Sequence, residues 1–369
     1  MRTRSALPLV AAVMVTLVAC SGHHSTSAAP VSPGSVMSQP TPASGSVAPP
    51  STSPPAPSSS AAPSTIAPSD DPLSGLSLWV DPNSPAAAEV QRRRSGGDRA
   101  DATALQAIAG QPTARWLGSW AALDGVPSVL ASAASSGSTP VFVAYFIPDR
   151  DCGGQSSGGA DSDGKYRDWI GTLAARLGDA SAIVILEPDA IPMASPGGCA
   201  NGEYHHRTAL LSAAVTKLKS HPGVRVYLDA GHPAWPSDPS VSVQPLEDSG
   251  LAQADGFALN TSNFQVLADD LAYGNALSAL VGGKHFVVDT GRNGNGPLPA
   301  NSGYAGPVWC NPPGRALGAT PTTDTGDAQA DAFLWIKYPG ESDGDCGLHD
   351  PAAGTWLAGY ALALVHNRH

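Results

Sequence analysis

The chain has 369 residues and a formal net charge of −11, and only 14% of its residues are charged. An acidic chain lacks the basic face that nucleic-acid binding requires, so we exclude a nucleic-acid partner. Its hydrophobic fraction of 42% is ample for a core, but its 35 prolines are unevenly spread, so the folded part must first be located.

The first twenty residues form a targeting segment. Arg2 and Arg4 precede an apolar run from Leu7 to Ala19, which is too short to span a membrane comfortably. The run ends in Leu-Val-Ala-Cys20, which resembles the lipobox of bacterial lipoproteins and implies cleavage before Cys20 and acylation of its thiol. The alternative is an ordinary secretory signal. In both cases we expect an exported protein, secreted or anchored at the cell surface.

Residues 21–70 consist mainly of Ser, Thr, Ala and Pro, with almost no large apolar residues. Such a segment cannot bury enough apolar surface to offset the entropy of ordering it. It is therefore predicted to be a disordered linker, and residues 71–369 are predicted to form a single catalytic domain.

From Asp71 onward, apolar runs alternate with Ala-rich amphipathic segments. The predicted strands are Leu76–Val80, Ala114–Gly118, Pro140–Ile147, Ala182–Leu186, Val224–Asp229, Gly256–Asn260, His285–Asp289 and Ala332–Lys337. The predicted helices include Ala86–Arg94, Val126–Ser135, Tyr166–Leu177, His206–Ser220, Val266–Val281 and Thr325–Ala330. This alternation over about 300 residues predicts a parallel α/β barrel, with a doubly wound open sheet as the alternative. The first predicted strand lacks the Gly-rich turn that a nucleotide-binding doubly wound fold usually shows.

Aspartates recur at the ends of the predicted strands. Asp151 and Asp189 follow two of them, Asp229 and Asp289 end two others, and Asp343 lies beyond the last. Parallel strands place these ends at one rim, so the carboxylates should converge in one cleft and raise at least one pKa by mutual repulsion. A lone aspartate at such a place more often caps a helix, but the set favours a catalytic cleft.

A pair of carboxylates in an aromatic-lined cleft is typical of enzymes that hydrolyse glycosidic bonds. Aromatic side chains near the strand ends are Trp116, Trp120, Trp235, Trp309, Trp335 and Tyr145. Their flat faces suit stacking against sugar rings. Core packing is the alternative for Trp120 and Trp169.

Four segments resemble, in order, the signature blocks of the family 6 glycoside hydrolases, which are inverting cellulases. They are VAYFIPDRDCGGQSSGG at 143–159, IVILEPDAI at 183–191, YLDAGH at 227–232 and WIKYPGESDG at 335–344. The resemblance extends from Leu76 to His369. It implies a distorted seven-stranded parallel α/β barrel of the TIM type, so one of the eight predicted strands should lie outside the closed sheet.

The resemblance also implies catalytic roles. Asp189 would be the general acid, and Asp151 would raise the pKa of Asp189 and join a water network. Asp343 corresponds to the aspartate proposed in this family as a direct base, a role that is disputed. Asp229 would assist where the substrate is distorted.

The remaining roles concern the sugar chain. Tyr145 would press against the distorted ring, and Ser157 would position water. The implied substrate-binding residues are Trp116, Trp309, Lys337 and Glu341 on the glycone side, Trp235 on the leaving side, and His232. The expected substrate is a β-1,4-glucan, acted on by a monomer. Short segments after Gly296 and Cys310 favour an open cleft and internal cleavage over the tunnel of a cellobiohydrolase.

The four remaining cysteines suggest two disulfides in an exported domain, with three connectivities possible. No Cys-x-x-Cys pair supports a zinc site, and no metal or other cofactor is expected. The family resemblance implies the pairs Cys152–Cys199 and Cys310–Cys346.

Two other classes of function compete. Residues 154–158 fit the G-x-S-x-G pattern of a serine esterase, but Pro148 to Gly154 separate Ser156 from its strand. A non-catalytic sugar-binding lipoprotein would need the acid replaced, whereas Asp189 is intact.

Overall fold

Seven parallel strands form one curled sheet in the computed structural model, which describes residues 71–368. The strands are β1 Arg115–Leu117, β2 Val141–Ala144, β3 Ala182–Leu186, β4 Val224–Asp229, β5 Gly256–Leu259, β6 His285–Asp289 and β7 Ala330–Leu334. They pair in sequence order, each with the next. The predicted targeting segment, Cys20 and the linker lie outside the described residues.

Helices connect the strands and cover the outside of the sheet. They are α1 Pro85–Ser95, α2 Arg99–Ala109, α3 Trp120–Leu123, α4 Val126–Ser135, α5 Asp163–Leu177, α6 Ala190–Ala194, α7 Tyr204–Leu218, α8 Ser240–Asp248, α9 Leu267–Leu280 and α10 Ala358–His366. Three begin at a serine, Ser84, Ser119 or Ser162, whose side chain accepts a backbone N–H of the first turn. No helix within residues 71–368 is long and apolar enough to cross a membrane.

Strands β2, β3 and β5 are buried along their whole length, which explains their uninterrupted apolar runs. Inside the curl lie Val143, Ile185, Tyr227 and Val287. The other face packs against the helices and includes Phe142, Val184, Leu228 and Val288. Successive side chains along a strand therefore pack alternately into an inner and an outer core.

The curl closes incompletely between β1 and β7. Within the described residues no ladder joins these strands, and the sheet ends at each of them. Ala114 N donates to Trp335 O at 3.0 Å, and the Trp116 indole donates to Ile336 O at 2.8 Å. The predicted distorted seven-stranded barrel is confirmed, and the doubly wound sheet is wrong.

Two predicted elements are absent from the structure. Leu76–Val80 is not a strand of the sheet. A single bridge joins its Leu78 to Thr139, which lies just before β2. Both edges of β2 are already occupied by β1 and β3. Thr325–Ala330 is not a helix, because the side chains of Thr325 and Asp327 bond to nearby backbone groups and compete with helical bonds.

Asp289 ties the exits of three strands together. Its buried carboxylate accepts hydrogen bonds from the backbone N–H groups of Ser262 (2.9 Å), Gly291 (3.0 Å), Ile336 (3.2 Å) and Lys337 (2.9 Å). These donors follow β5, β6 and β7 in the chain. The rim therefore depends on this one carboxylate for its shape.

We expect Asp289→Ala to lower the free energy of unfolding by about 3 kcal/mol or more, because several buried N–H groups lose their acceptor. Urea denaturation at 25 °C measures the change. Asp168→Ala, at an exposed position of α5, is the control and should change it by less than about 0.5 kcal/mol. Equal stability of the two variants would contradict the assigned role.

Candidate active site

A cleft of about 780 Å³ lies at the C-terminal rim of the sheet. The predicted site residues that line it are Trp116, Tyr145, Asp151, Ser157, Asp189, His232, Trp235, Trp309, Lys337, Glu341 and Asp343. Asp229, the remaining one, is buried behind Asp189. The structure thus brings together side chains from six strand exits.

The turn Glu187-Pro188-Asp189 sets the position of the central carboxylate. Pro188 has no N–H and cannot extend the ladder of β3. Glu187 and Asp189 both have left-handed backbone conformations, with φ of 49° and 68°. The turn buries Glu187 and leaves Asp189 half-buried, facing the cleft.

Asp189 lies where its neutral form is favoured. Burial raises its pKa well above the usual range, and the negative charges of Asp229 and Asp151 raise it further. Asp229 accepts hydrogen bonds from the N–H groups of Asp189 (3.1 Å) and Gly231 (3.2 Å), and burial raises the pKa of Asp229 to about 6. These surroundings therefore favour the protonated form of Asp189 over its carboxylate.

The loop after β2 is held by its own side chains. The Asp151 carboxylate accepts from Ser156 N at 2.6 Å. Arg150 donates to Ser156 O (2.8 Å), Tyr145 O (2.5 Å) and Gly118 O (3.1 Å). Sequence reasoning assigned Arg150 no role, although it lies directly before Asp151. These contacts fix the loop that carries Asp151 and Ser157.

Two disulfides pin the loops of the rim. Cys152 pairs with Cys199, and Cys310 pairs with Cys346. The pairing implied by the family resemblance is confirmed. Within residues 71–368 no group of three or more His, Cys, Asp or Glu side chains could hold a metal ion.

Asp343 is engaged by cations. Its Oδ2 accepts from Arg292 Nη1 (2.8 Å) and Asn311 N (3.0 Å), and Lys337 Nζ lies 3.9 Å from its Oδ1. Sequence reasoning missed Arg292, which is only 1% exposed. Its one signal was an arginine three residues after the end of β6, next to an acidic rim. Burial lowers the pKa of Lys337, and the Asp343 charge opposes that shift.

The aromatic side chains divide between cleft and core. Trp116 contacts the Tyr145 ring edge-on at 5.3 Å, and Trp309 is 48% exposed at the cleft. Trp335, predicted among the strand-end aromatics, is buried in the outer layer, where its indole donates to Ala319 O. Trp169 is fully buried, whereas Trp120 is 44% exposed, so the core interpretation holds only for Trp169.

The esterase interpretation fails on local structure. A nucleophile elbow needs its serine between a strand and the start of a helix. Ser156 lies well beyond the end of β2, and α5 begins only at Asp163.

Comparisons with known proteins agree on one family. The model for "Glycosyl hydrolases family 6" matches residues 73–368. Endoglucanase A of Cellulomonas fimi is 42% identical over 300 residues, which are 80% of this chain and 62% of that protein. Endoglucanase 1 of Streptomyces halstedii is 39% identical over 300 residues, which are 78% of this chain and 88% of that protein.

A solved structure has the same fold. It is the endoglucanase Cel6 from Mycobacterium tuberculosis in complex with methyl-cellobiosyl-4-deoxy-4-thio-β-D-cellobioside, 42% identical with a TM-score of 0.73, covering 80% of this chain and 99% of that one. More distant relatives include 1,4-β-D-glucan cellobiohydrolase C of Emericella nidulans, 33% identical over 81% of this chain and 78% of that protein. This chain spans about three-fifths of the length of the endoglucanases A from Cellulomonas fimi and Thermobispora bispora (62% and 57%).

We expect Asp151→Asn to lower the pKa of Asp189, because removing a nearby negative charge makes ionisation easier. Carboxyl carbon NMR during a pH titration measures the midpoint of Asp189, identified by its absence in Asp189→Asn. Asp161→Asn, at an exposed site on the same connection, is the control and should leave the midpoint unchanged. An unchanged midpoint in Asp151→Asn would contradict the electrostatic coupling.

Proposed function

Because this chain belongs to glycosyl hydrolase family 6, we propose that it hydrolyses internal β-1,4-glucosidic bonds of cellulose or a related glucan with inversion of configuration. The observation that carries the proposal is Asp189, a carboxyl group that favours its protonated form and faces an aromatic-lined cleft. Inverting hydrolysis needs such an acid on one side of the scissile bond and a water on the other.

In the proposed reaction Asp189 gives its proton to the glycosidic oxygen as the bond from that oxygen to C1 breaks. A water attacks C1 from the opposite face and forms the new C–O bond. The water loses its proton to the solvent network beside Asp151 and Ser157. Asp189 then regains a proton before the next turnover, which its raised pKa favours.

The contacts of Asp343 support a water-mediated route over direct base catalysis by this residue. Its Oδ2 already accepts two hydrogen bonds, from Arg292 and Asn311. Charge-assisted bonds of this kind fix the orientation of the carboxylate and leave only its Oδ1 to take a proton. We propose that Asp343 instead stabilises the positive charges of Arg292 and Lys337 beside the sugar.

The walls of the cleft suit a sugar chain. Tyr145 is fixed between the edge of Trp116 and the Arg150 guanidinium, which lies 4.7 Å from its ring centroid. A ring held so firmly can press on a sugar that must distort. Trp235 and Trp309 also line the cleft and offer further stacking surfaces.

Two observations support endo-action over exo-action. Relatives that are 38–42% identical are named endoglucanases, whereas those named cellobiohydrolases are 31–33% identical. Trp309 is also 48% exposed, which fits a cleft that no loop covers at this point. We further propose that the protein is an exported monomer, with Cys20 as a lipid anchor if the lipobox is processed.

We expect wild-type protein digesting cellohexaose to release the α-anomer first, because water attacks opposite the leaving group. Proton NMR of the anomeric signals follows the products. Asp189→Ala should lose about 10²- to 10⁴-fold in rate, since proton donation is lost. An aryl cellobioside whose leaving group needs no proton should be cleaved by both proteins.

Asp179→Ala, exposed in the turn after α5, is the matched control and should keep the wild-type rate. The β-anomer appearing first would contradict inversion. A full rate in Asp189→Ala would contradict the assigned acid.

We expect soluble carboxymethyl cellulose to lose viscosity steeply while few reducing ends appear, because cuts fall within the chain. Viscometry and a reducing-sugar assay on the same samples measure this ratio. Cellobiose release at nearly constant viscosity would instead identify a cellobiohydrolase.

A further inference from the structure

The exits of β2 and β3 are unusually strained. Five non-glycine residues there have left-handed backbone conformations, with φ between 46° and 68°: Asp149, Asp151, Cys152, Glu187 and Asp189. Each such conformation costs on the order of 1–3 kcal/mol and persists only where the surroundings enforce it. Something must therefore hold these two segments against each other.

The Glu187 carboxylate connects the two segments by hydrogen bonds. The residue is 1% exposed, and its Oε2 accepts from Phe146 N at 2.9 Å and from Ile147 N at 3.0 Å. One carboxylate thus joins the exit of β3 to the two residues that follow Tyr145. Burial raises the pKa of Glu187 to about 7, and the two N–H donors oppose that shift.

Arg207, which lies outside the sheet, forms a second connection to the segment after β2. It belongs to α7 and is 4% exposed, and its Nη2 donates to Asp149 O at 3.1 Å. Burial lowers the pKa of Arg207, while the nearby Glu187 charge favours its protonated form. A buried cation is thus close enough to the buried carboxylate to interact with its charge, and the two side chains bond to the backbone of residues 146–149.

We propose that Glu187 and Arg207 are positioning residues that hold residues 146–151 so that Asp151 stays close to Asp189. Neither lines the cleft, so neither touches the substrate directly. The inference rests on the proposed function, in which Asp189 is the acid. Nothing in the sequence motif distinguishes Glu187 as more than a neighbour of that acid.

Loss of the Glu187 and Arg207 contacts would have a specific consequence for Asp189. The strained segment would relax and move the Asp151 charge away from Asp189, which would then lose its proton at lower pH. The turnover rate falls because less acid is protonated. Substrate affinity changes less than turnover, because Trp116, Trp235 and Lys337 stand on other strand exits and only Tyr145 adjoins the loosened segment.

The test compares Glu187→Gln with Glu89→Gln. Glu89 is also a buried carboxylate, but it lies on α1, bonded to Arg92 and Arg93 and away from the cleft. For Glu187→Gln we expect kcat on cellohexaose to fall by up to about 100-fold, with a smaller change in KM, because a displaced charge disturbs the catalytic geometry. The carboxyl titration of Asp189 should shift to lower pH. Glu89→Gln should lower the thermal midpoint and leave kcat and the titration unchanged.

A second pair protects the test against misfolding. Arg207→Gln should reproduce the loss of kcat and the shifted Asp189 titration, and Arg207→Lys should restore part of both. Variants with lowered thermal midpoints but normal kcat and normal titration would overturn the proposal. If the wild-type protein hydrolyses no glucan, the proposed function fails, and the Asp189 titration alone still decides whether the positioning holds.

Discussion

Several carboxylates lie close together at the rim, and the contacts of the rim must offset the cost of bringing these charges together. Parallel strands bring their C-terminal ends together, and here several of those ends carry an aspartate. Asp289 accepts hydrogen bonds from four backbone N–H groups, and Asp343 forms an ion pair with the Arg292 guanidinium. Asp229 accepts two N–H donors. Asp189 lies where burial and, after it, the charges of Asp229 and Asp151 favour the protonated carboxyl, which is the form that the proposed mechanism requires.

Left-handed backbone conformations are concentrated around Asp189, at the exits of β2 and β3. The strands beneath are short and mostly apolar, and their buried residues pack in an inner and an outer core. Such a scaffold can enforce left-handed residues at its rim, which would otherwise relax. The position of Asp189 is thus determined less by its own turn than by the packing of β2, β3 and α7 around that turn.

The sequence predicts local features well and long-range ones poorly. Aspartates at strand ends and the motif around Asp189 locate the cleft, because both depend on neighbours in the chain. Leu76–Val80 reads as a strand, yet its place beside β2 is already taken, which no local pattern reveals. Arg292 escapes notice for the same reason, since its partner Asp343 lies 51 residues away. The family resemblance adds the disulfide pairing, which spacing alone leaves open.

The sheet of the described residues has seven strands, and the gap between its edges β1 and β7 lies at one wall of the cleft. Between β1 and β7 the described residues form only a backbone contact at Ala114 and the indole bond of Trp116, not a ladder. Lys337 Nζ lies 5.8 Å from the Trp116 ring at this gap, and both side chains line the cleft. A full ring of strands would place a further exit loop there. Incomplete closure of the sheet therefore leaves room at this wall of the cleft, which fits the proposed binding of a long glucan chain.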